Sequence, residues 1–253
     1  MSIDLSAMLE RHIVFTEGKL EAFKECATYV KAVGTEAFAK QPQMSVAMRM
    51  QIPDMTLFSN FLNPAECDEL IAQAQSRLTR SKTFDPKTGD PVEHQHRTSH
   101  GMFFKRGETP LVDYIERKIS AITGVPVDHG EGIQVLRYEV GQEYKPHHDY
   151  FDTTRPNYDK VDGGAGQRIA TFLIYLNTPE KGGGTSFPES KVLVEAQKGN
   201  GLLFRYPTTD KESKSLHGGT PVQAGVKWVA TKWLRQKPYI RPDYPSTKEK
   251  ANG

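Results

Sequence analysis

The second half of the chain predicts an antiparallel β sandwich or jelly roll, and three observations carry this. From Gly130 onward the apolar pattern takes the two-residue period of strands. It does so in Ile133–Glu139, Arg168–Asn177, Val192–Ala196, Gly201–Tyr206, Thr220–Val222 and Lys227–Arg235. Turn signals separate these runs: Gly182-Gly183-Gly184, Gly199-Asn200-Gly201, Gly218-Gly219 and Gly225. No helical pattern falls between them, so the strands connect as hairpins rather than as parallel crossovers. With helices ahead of the strands, the chain as a whole reads as α+β, mainly β.

The elements follow in order. Residues 1–45 read as an N-terminal helical extension. Leu5, Met8, Leu9 and Ile13 fall at helical spacing, as do Leu20, Phe23, Ala27 and Val30, until Gln41-Pro42-Gln43 breaks the pattern. Its apolar stripe is a packing face; the sequence leaves open whether it packs on the domain or joins two copies into an oligomer. Phe58-Ser59-Asn60-Phe61-Leu62 reads as a strand and turn. Asn63 then caps a helix, with Pro64 at its first position and Glu66 placed to close a capping box. Residues 81–100 are polar and hold Pro86, Gly89 and Pro91, which predicts a long loop of the kind that carries function. A second helix fits Pro110 to Thr123, with Leu111, Tyr114, Ile115, Ile119 and Ile122 on one side. The domain of interest spans residues 46–240, and residues 241–253 form a polar C-terminal tail.

Composition excludes several classes of function. The 253 residues suit one large domain with an extension, and 37% hydrophobic with 25% charged residues is ordinary for a globular chain. Lys and Arg number 33 against 31 Asp and Glu, a net charge of +2, which offers no footprint for nucleic acid or an anionic membrane. Cys26 and Cys67 make neither a disulfide framework nor a zinc cluster, and read as thiols in a reducing compartment. The first residues are acidic without a long apolar core, and no run of 18 apolar residues occurs, so a cytoplasmic protein is expected.

The chemistry lies in two segments. In Lys145-Pro146-His147-His148-Asp149-Tyr150, residues two apart on extended chain project to one side, so His147 and Asp149 point together while His148 points away. An imidazole and a carboxylate are two-thirds of a facial triad for Fe(II), which leaves coordination positions open for oxygen chemistry. Alone the pair is a weak signal, since Asp149 also suits a turn cap. Downstream, His217 opens a strand, a turn follows, and Lys227 begins the next strand ten residues later. Lys227 shares strand parity with Val229, Thr231 and Trp233, so its ammonium faces inward, where a buried cation needs an anion. The plainer readings are an internal salt bridge for Lys227 and a core histidine for His217.

With these residues in order, residues 52 to 238 resemble the prolyl 4-hydroxylase family of Fe(II)/2-oxoglutarate dioxygenases. The resemblance runs through Arg97-Thr98-Ser99, Tyr138, His147-x-Asp149, the stretch Gln167 to Asn177, Gly182-Gly183-Gly184-Thr185 and the His217 to Trp228 segment. It implies a double-stranded β-helix (a cupin-like jelly roll) with N-terminal helices packed on it. It further implies that His147, Asp149 and His217 bind Fe(II), that Lys227 binds the C5 carboxylate of 2-oxoglutarate, and that Tyr138 and Thr185 hydrogen-bond that carboxylate. Tyr175 and Thr231 have suitable parity. Tyr144, Arg168 and Trp233 match substrate-facing positions, and Arg97 lies in or beside a loop similar to the family's substrate-covering loop. O2 and ascorbate complete the implied cofactors, and the implied partner is a proline-containing peptide or protein. Residues 1–45 and the Asp-, Pro- and Gly-rich segment Asp152 to Gly166 depart from the family pattern, and the latter could set a different specificity.

Two other functions compete: hydroxylation of a free amino acid or other small molecule at the same metal centre, and a non-enzymatic jelly-roll binding module. Of the remaining features, His94, His96 and His100 read as solvated loop residues. The three glycines at 182–184 read as a turn and not a phosphate loop, since no Lys-Ser/Thr pair follows. Phe103-Phe104 reads as core.

Overall fold

The computed structural model describes residues 43–84, 91–93, 98–153, 164–209 and 211–240. Its first strands are β1 (Ser45–Met50), β2 (Met55–Ser59), β3 (Thr79–Arg80), β4 (Lys82–Phe84), β5 (Pro91–Glu93) and β6 (His100–Phe103). After them come β7 (Gln134–Tyr138), β8 (Tyr144–His147), β9 (Arg168–Tyr175), β10 (Lys181–Gly182) and β11 (Thr185–Phe187). The last are β12 (Val192–Val194), β13 (Gly201–Arg205), β14 (His217–Gly219), β15 (Val222–Ala224) and β16 (Lys227–Arg235). The major sheet has the order β1-β2-β13-β9-β16-β7-β6-β3, and the minor sheet the order β12-β11-β14-β8. Neighbours in both pair antiparallel, as the jelly-roll reading requires.

Strand alternation divides the core in two. On β9, Ala170, Phe172 and Ile174 face one way, and with Phe58, Leu203, Ala230 and Leu234 they pack against two helices. Leu173 and Tyr175 face the other way, and with Leu136, Tyr138, Phe204 and Val229 they meet Phe187 and Val194 of the minor sheet. The major sheet is therefore apolar on both faces, with helices on one and the minor sheet on the other. Phe172 anchors the helix side. It is fully buried, with its ring 4.6 Å from that of Phe61 and 5.9 Å from that of Phe58. Burying such a side chain stabilises the fold by about 1.5–3 kcal/mol.

Both helices start at the residues expected from the sequence. Helix α1 (Pro64–Gln75) begins with a complete capping box: Asn63 Oδ1 accepts from the Glu66 N–H, and Glu66 Oε2 accepts from the Asn63 N–H, both at 2.9 Å. Helix α2 (Pro110–Thr123) is capped by Thr109 and stops at Gly124, whose φ of 76° is the left-handed conformation that glycine adopts without strain. Leu111, Tyr114, Ile115 and Ile119 form its buried side. Lys232 of β16 reaches this helix as a buried ion pair with Glu116, at 2.5 Å.

Several expectations change. Within the loop expected at 81–100, β4 and β5 pair as a hairpin. The strand expected at Thr220–Val222 is replaced by β14 and β15 on either side of Pro221. Proline has no N–H to donate to a ladder, and its carbonyl instead accepts from Gly183. Phe104 is fully buried, but Phe103 is 47% exposed because it lies on the opposite face of β6. His100 belongs to β6, opposite Arg137, and is half-buried rather than solvated. Cys67 is a buried thiol that burial pushes up to about 12, which suppresses its reactivity. Of the extension expected at 1–45, residues 1–42 lie outside the described residues, and Ser45 already opens β1. Arg97, His94, His96 and the tail 241–253 also lie outside them.

Candidate active site

Strand β14 pairs with β8 so that His217 stands directly across from His147. Facing side chains on an antiparallel pair are in contact range, and the two imidazole centroids lie 4.4 Å apart. Asp149 follows two residues after His147 and turns in beside both rings. Its Oδ1 is 3.5 Å from His147 Nε2, and its Oδ2 is 3.5 Å from His217 Nε2. One ligand atom from each of the three residues lies within 4.8 Å of the others.

The backbone sets the tautomers. His147 Nδ1 is 2.8 Å from the Lys145 carbonyl oxygen, and His217 Nδ1 is 3.0 Å from that of Ser215. A carbonyl only accepts, so each Nδ1 carries the proton and donates, which leaves each Nε2 as the nitrogen able to ligate. Burial pushes the His217 imidazole down to about 4, so it is neutral at neutral pH. Burial alone would raise the Asp149 carboxyl, but His217, His147 and Arg168 outweigh it and hold Asp149 well below the usual carboxylate range. Metal binding requires an ionised carboxylate and unprotonated imidazole nitrogens. Two nitrogens and one carboxylate on one side of a cavity fit the facial triad of an Fe(II) oxygenase.

Lys227 occupies the same cavity. It faces Tyr138 across the β16/β7 ladder, with Nζ 5.6 Å from the Tyr138 ring centroid and 5.9 Å from that of Tyr175. Lys227 is 4% exposed, and burial pulls its ammonium down to about 8 with no charged neighbour opposing. The internal salt bridge weighed from sequence is therefore absent among the described residues. A buried lysine of this kind awaits an anion. Gly219 leaves room beside it: a Cβ there would sit 3.6 Å from Nζ. Tyr175 donates its hydroxyl proton to Thr185 Oγ1 at 2.8 Å, so the Thr185 proton remains available to another acceptor.

The cavity has a volume of about 440 Å³ including its open mouth, and Leu136, Leu173 and Val229 form its apolar wall. Of the candidates for the metal and the cosubstrate, His147, Asp149, His217, Tyr138, Thr185, Lys227 and Thr231 line it, and Tyr175 does not. Two substrate candidates line it as well. Tyr144 stacks on His147 with centroids 3.6 Å apart, and Trp233 has a buried Nε1 with no acceptor among the described residues. Arg168 is not among the residues that line the cavity. Its guanidinium lies 4.0 Å from the Trp233 ring centroid and forms a two-pronged pair with Glu131, at 2.7 and 2.9 Å. Arg235 also holds Glu131, at 2.9 Å; burial raises that carboxyl, but the two guanidiniums outweigh it and keep it ionised.

The sequence reading missed Thr171 and Tyr206. Thr171 donates to Asp149 Oδ2 at 2.6 Å, and Tyr206 lies 3.0 Å from the same Thr171 oxygen. Strand parity could have found Thr171, which shares the inner face of β9 with Leu173 and Tyr175. No local pattern marks Tyr206.

Residues 133–235 match the family described as the 2OG-Fe(II) oxygenase superfamily. Probable prolyl 4-hydroxylase 10 of Arabidopsis thaliana is 41% identical over 208 residues, covering 74% of this chain and 70% of that protein. Prolyl 4-hydroxylase 1 of the same plant is 43% identical over 202 residues, covering 73% and 70%. Among solved structures, a viral collagen prolyl hydroxylase of Paramecium bursaria Chlorella virus-1, in its 2OG complex, is similar at a TM-score of 0.55. It is 30% identical, over 72% of this chain and 95% of that one.

Proposed function

This chain belongs to the prolyl 4-hydroxylase family of 2-oxoglutarate- and Fe(II)-dependent oxygenases, and from that membership we propose that it hydroxylates proline within a peptide or protein. The observation that carries the reading is the complete set of His147, Asp149, His217 and a buried Lys227, which has no ion-pair partner among the described residues, around one cavity.

His147 Nε2, His217 Nε2 and Asp149 would hold Fe(II), and Lys227 would pair with the distal carboxylate of 2-oxoglutarate. The hydroxyls of Tyr138 and Thr185 would donate to that carboxylate. Charge supports this division. Asp149 and Lys227 contribute one charge of each sign, so a divalent cation and a dianionic cosubstrate leave the buried site neutral overall. When bound, Fe(II) with 2-oxoglutarate and O2 supplies the oxidising power that inserts one oxygen into the substrate C–H bond, releasing succinate and carbon dioxide. The protein's own contribution is placement and exclusion of water. Leu136, Leu173 and Val229 give the cavity an apolar wall, and a low-dielectric wall strengthens the attraction of Lys227 for a carboxylate. Tyr144 and Trp233 add aromatic side chains to the cavity lining. Ascorbate is proposed as the reductant that maintains the iron, and a cytoplasmic setting rests on the sequence reading alone.

The test is succinate release with Fe(II), 2-oxoglutarate and ascorbate, with a proline-rich peptide or free proline, followed by mass spectrometry. A peptide gain of one oxygen coupled to succinate supports the proposal. Succinate formation with an unmodified peptide and a hydroxylated free amino acid would replace it with the small-molecule reading.

A further inference from the structure

The two carboxylate oxygens of Asp149 have different surroundings. Each lies 3.5 Å from one imidazole Nε2, Oδ1 from that of His147 and Oδ2 from that of His217, but Oδ2 also accepts the Thr171 hydroxyl at 2.6 Å. A threonine hydroxyl has one proton, and an ionised carboxylate only accepts, so the Thr171 proton belongs to Asp149. The 3.0 Å contact between Thr171 Oγ1 and the Tyr206 hydroxyl must then run from Tyr206 to Thr171. Tyr206, Thr171 and Asp149 thus form a directed chain in which every step is buried: their exposures are 3%, 1% and 6%. The Tyr206 ring is held independently of its hydroxyl, 6.0 Å from the ring of Tyr150 and 6.3 Å from that of Phe204.

We propose that Thr171 and Tyr206 are positioning residues that hold Asp149 as a one-oxygen metal ligand, with Tyr206 acting through Thr171. The proposal rests on the metal assignment above, but not on the identity of the substrate. The reason is geometric. Hydrogen bonds taken by Oδ2 orient the carboxylate and weaken Oδ2 as a donor, while Oδ1 keeps its lone pairs for the metal. A carboxylate gripping through both oxygens would occupy a position that the cosubstrate or O2 requires. The second hydrogen bond polarises the first, so the far hydroxyl also contributes.

The experiment titrates the metal-free protein with Co(II), whose absorption spectrum reports ligand number and geometry, in wild type, Thr171→Val, Thr171→Ser and Tyr206→Phe. Thr171→Val should weaken Co(II) binding by roughly 10–100-fold, the range for losing a ligand-orienting partner, and shift the spectrum. Tyr206→Phe should weaken it by roughly two- to tenfold, as expected for one neutral hydrogen bond, and shift the spectrum in the same sense. Thr171→Ser, which keeps the hydroxyl, should restore both. If circular dichroism shows that Thr171→Val does not fold, Tyr206→Phe against wild type decides alone. Lower melting temperatures with unchanged Co(II) affinity and spectrum would make these residues merely structural and overturn the proposal. Wild type that fails to bind Co(II) would bring down the metal assignment and the proposal with it.

Discussion

Replacing Lys227 by methionine keeps an unbranched side chain, one heavy atom shorter, and removes the charge together with its three N–H donors. In the absence of cosubstrate, that charge destabilises the fold. Its ammonium, ordinarily at 10.5, is pulled by burial to about 8. The folded state therefore releases this proton before the unfolded state does. The penalty is fully present below pH 8 and disappears as pH rises from about 8 to 10.5. The gap sets an upper bound of about 3 kcal/mol. The faces of Tyr138 and Tyr175 offset about 1–2 kcal/mol of it. Methionine at 227 should then stabilise the ligand-free protein at pH 7 by about 1–2 kcal/mol, a rise in Tm of about 2–8 °C for a chain of this size. The advantage should vanish above pH 10.5. With Fe(II) and 2-oxoglutarate present the order should reverse, because a charge-assisted contact contributes about 1.5–3 kcal/mol, or roughly 10–150-fold in the 2-oxoglutarate KM. Thermal unfolding with and without cosubstrate, beside KM values, tests both halves. A Lys227→Met variant that is no more stable without ligand and has an unchanged KM would refute the reasoning.

Three further outcomes are expected. His217→Ala should abolish succinate release, and added Fe(II) or Co(II) should no longer raise its Tm as it does for wild type, because binding to the folded state alone stabilises that state. Phe172→Ala should cost about 3–5 kcal/mol in urea unfolding, since a fully buried ring packed on Phe58 and Phe61 leaves a cavity that rigid sheet neighbours cannot fill. Asn63→Ala should cost about 1 kcal/mol by opening the capping box of α1, with kcat unchanged because the cap lies in none of the catalytic elements.

The sequence by itself determined the character of the chain. Two-residue periodicity and glycine turns specified antiparallel sheets, because on extended chain each residue's face follows from its parity. Parity placed His147 beside Asp149, and Lys227 with Val229, Thr231 and Trp233, and the structure lines the cavity with all of them. Local cap chemistry at Asn63-Pro64-x-Glu66 fixed where α1 begins. Register and three-dimensional neighbours were beyond it. The pairing of His217 with His147 depends on which residues of β14 and β8 face each other, and no local pattern specifies register between strands seventy residues apart. The resemblance assigned Arg168 a substrate-facing position, but its contacts with Glu131 and Trp233 were not legible, because Glu131 comes from the segment just ahead of β7 and Trp233 from the neighbouring strand. Tyr206 reaches Asp149 only through Thr171. Hydrogen bonds are decided by distance and direction between atoms, and the tertiary structure alone sets those.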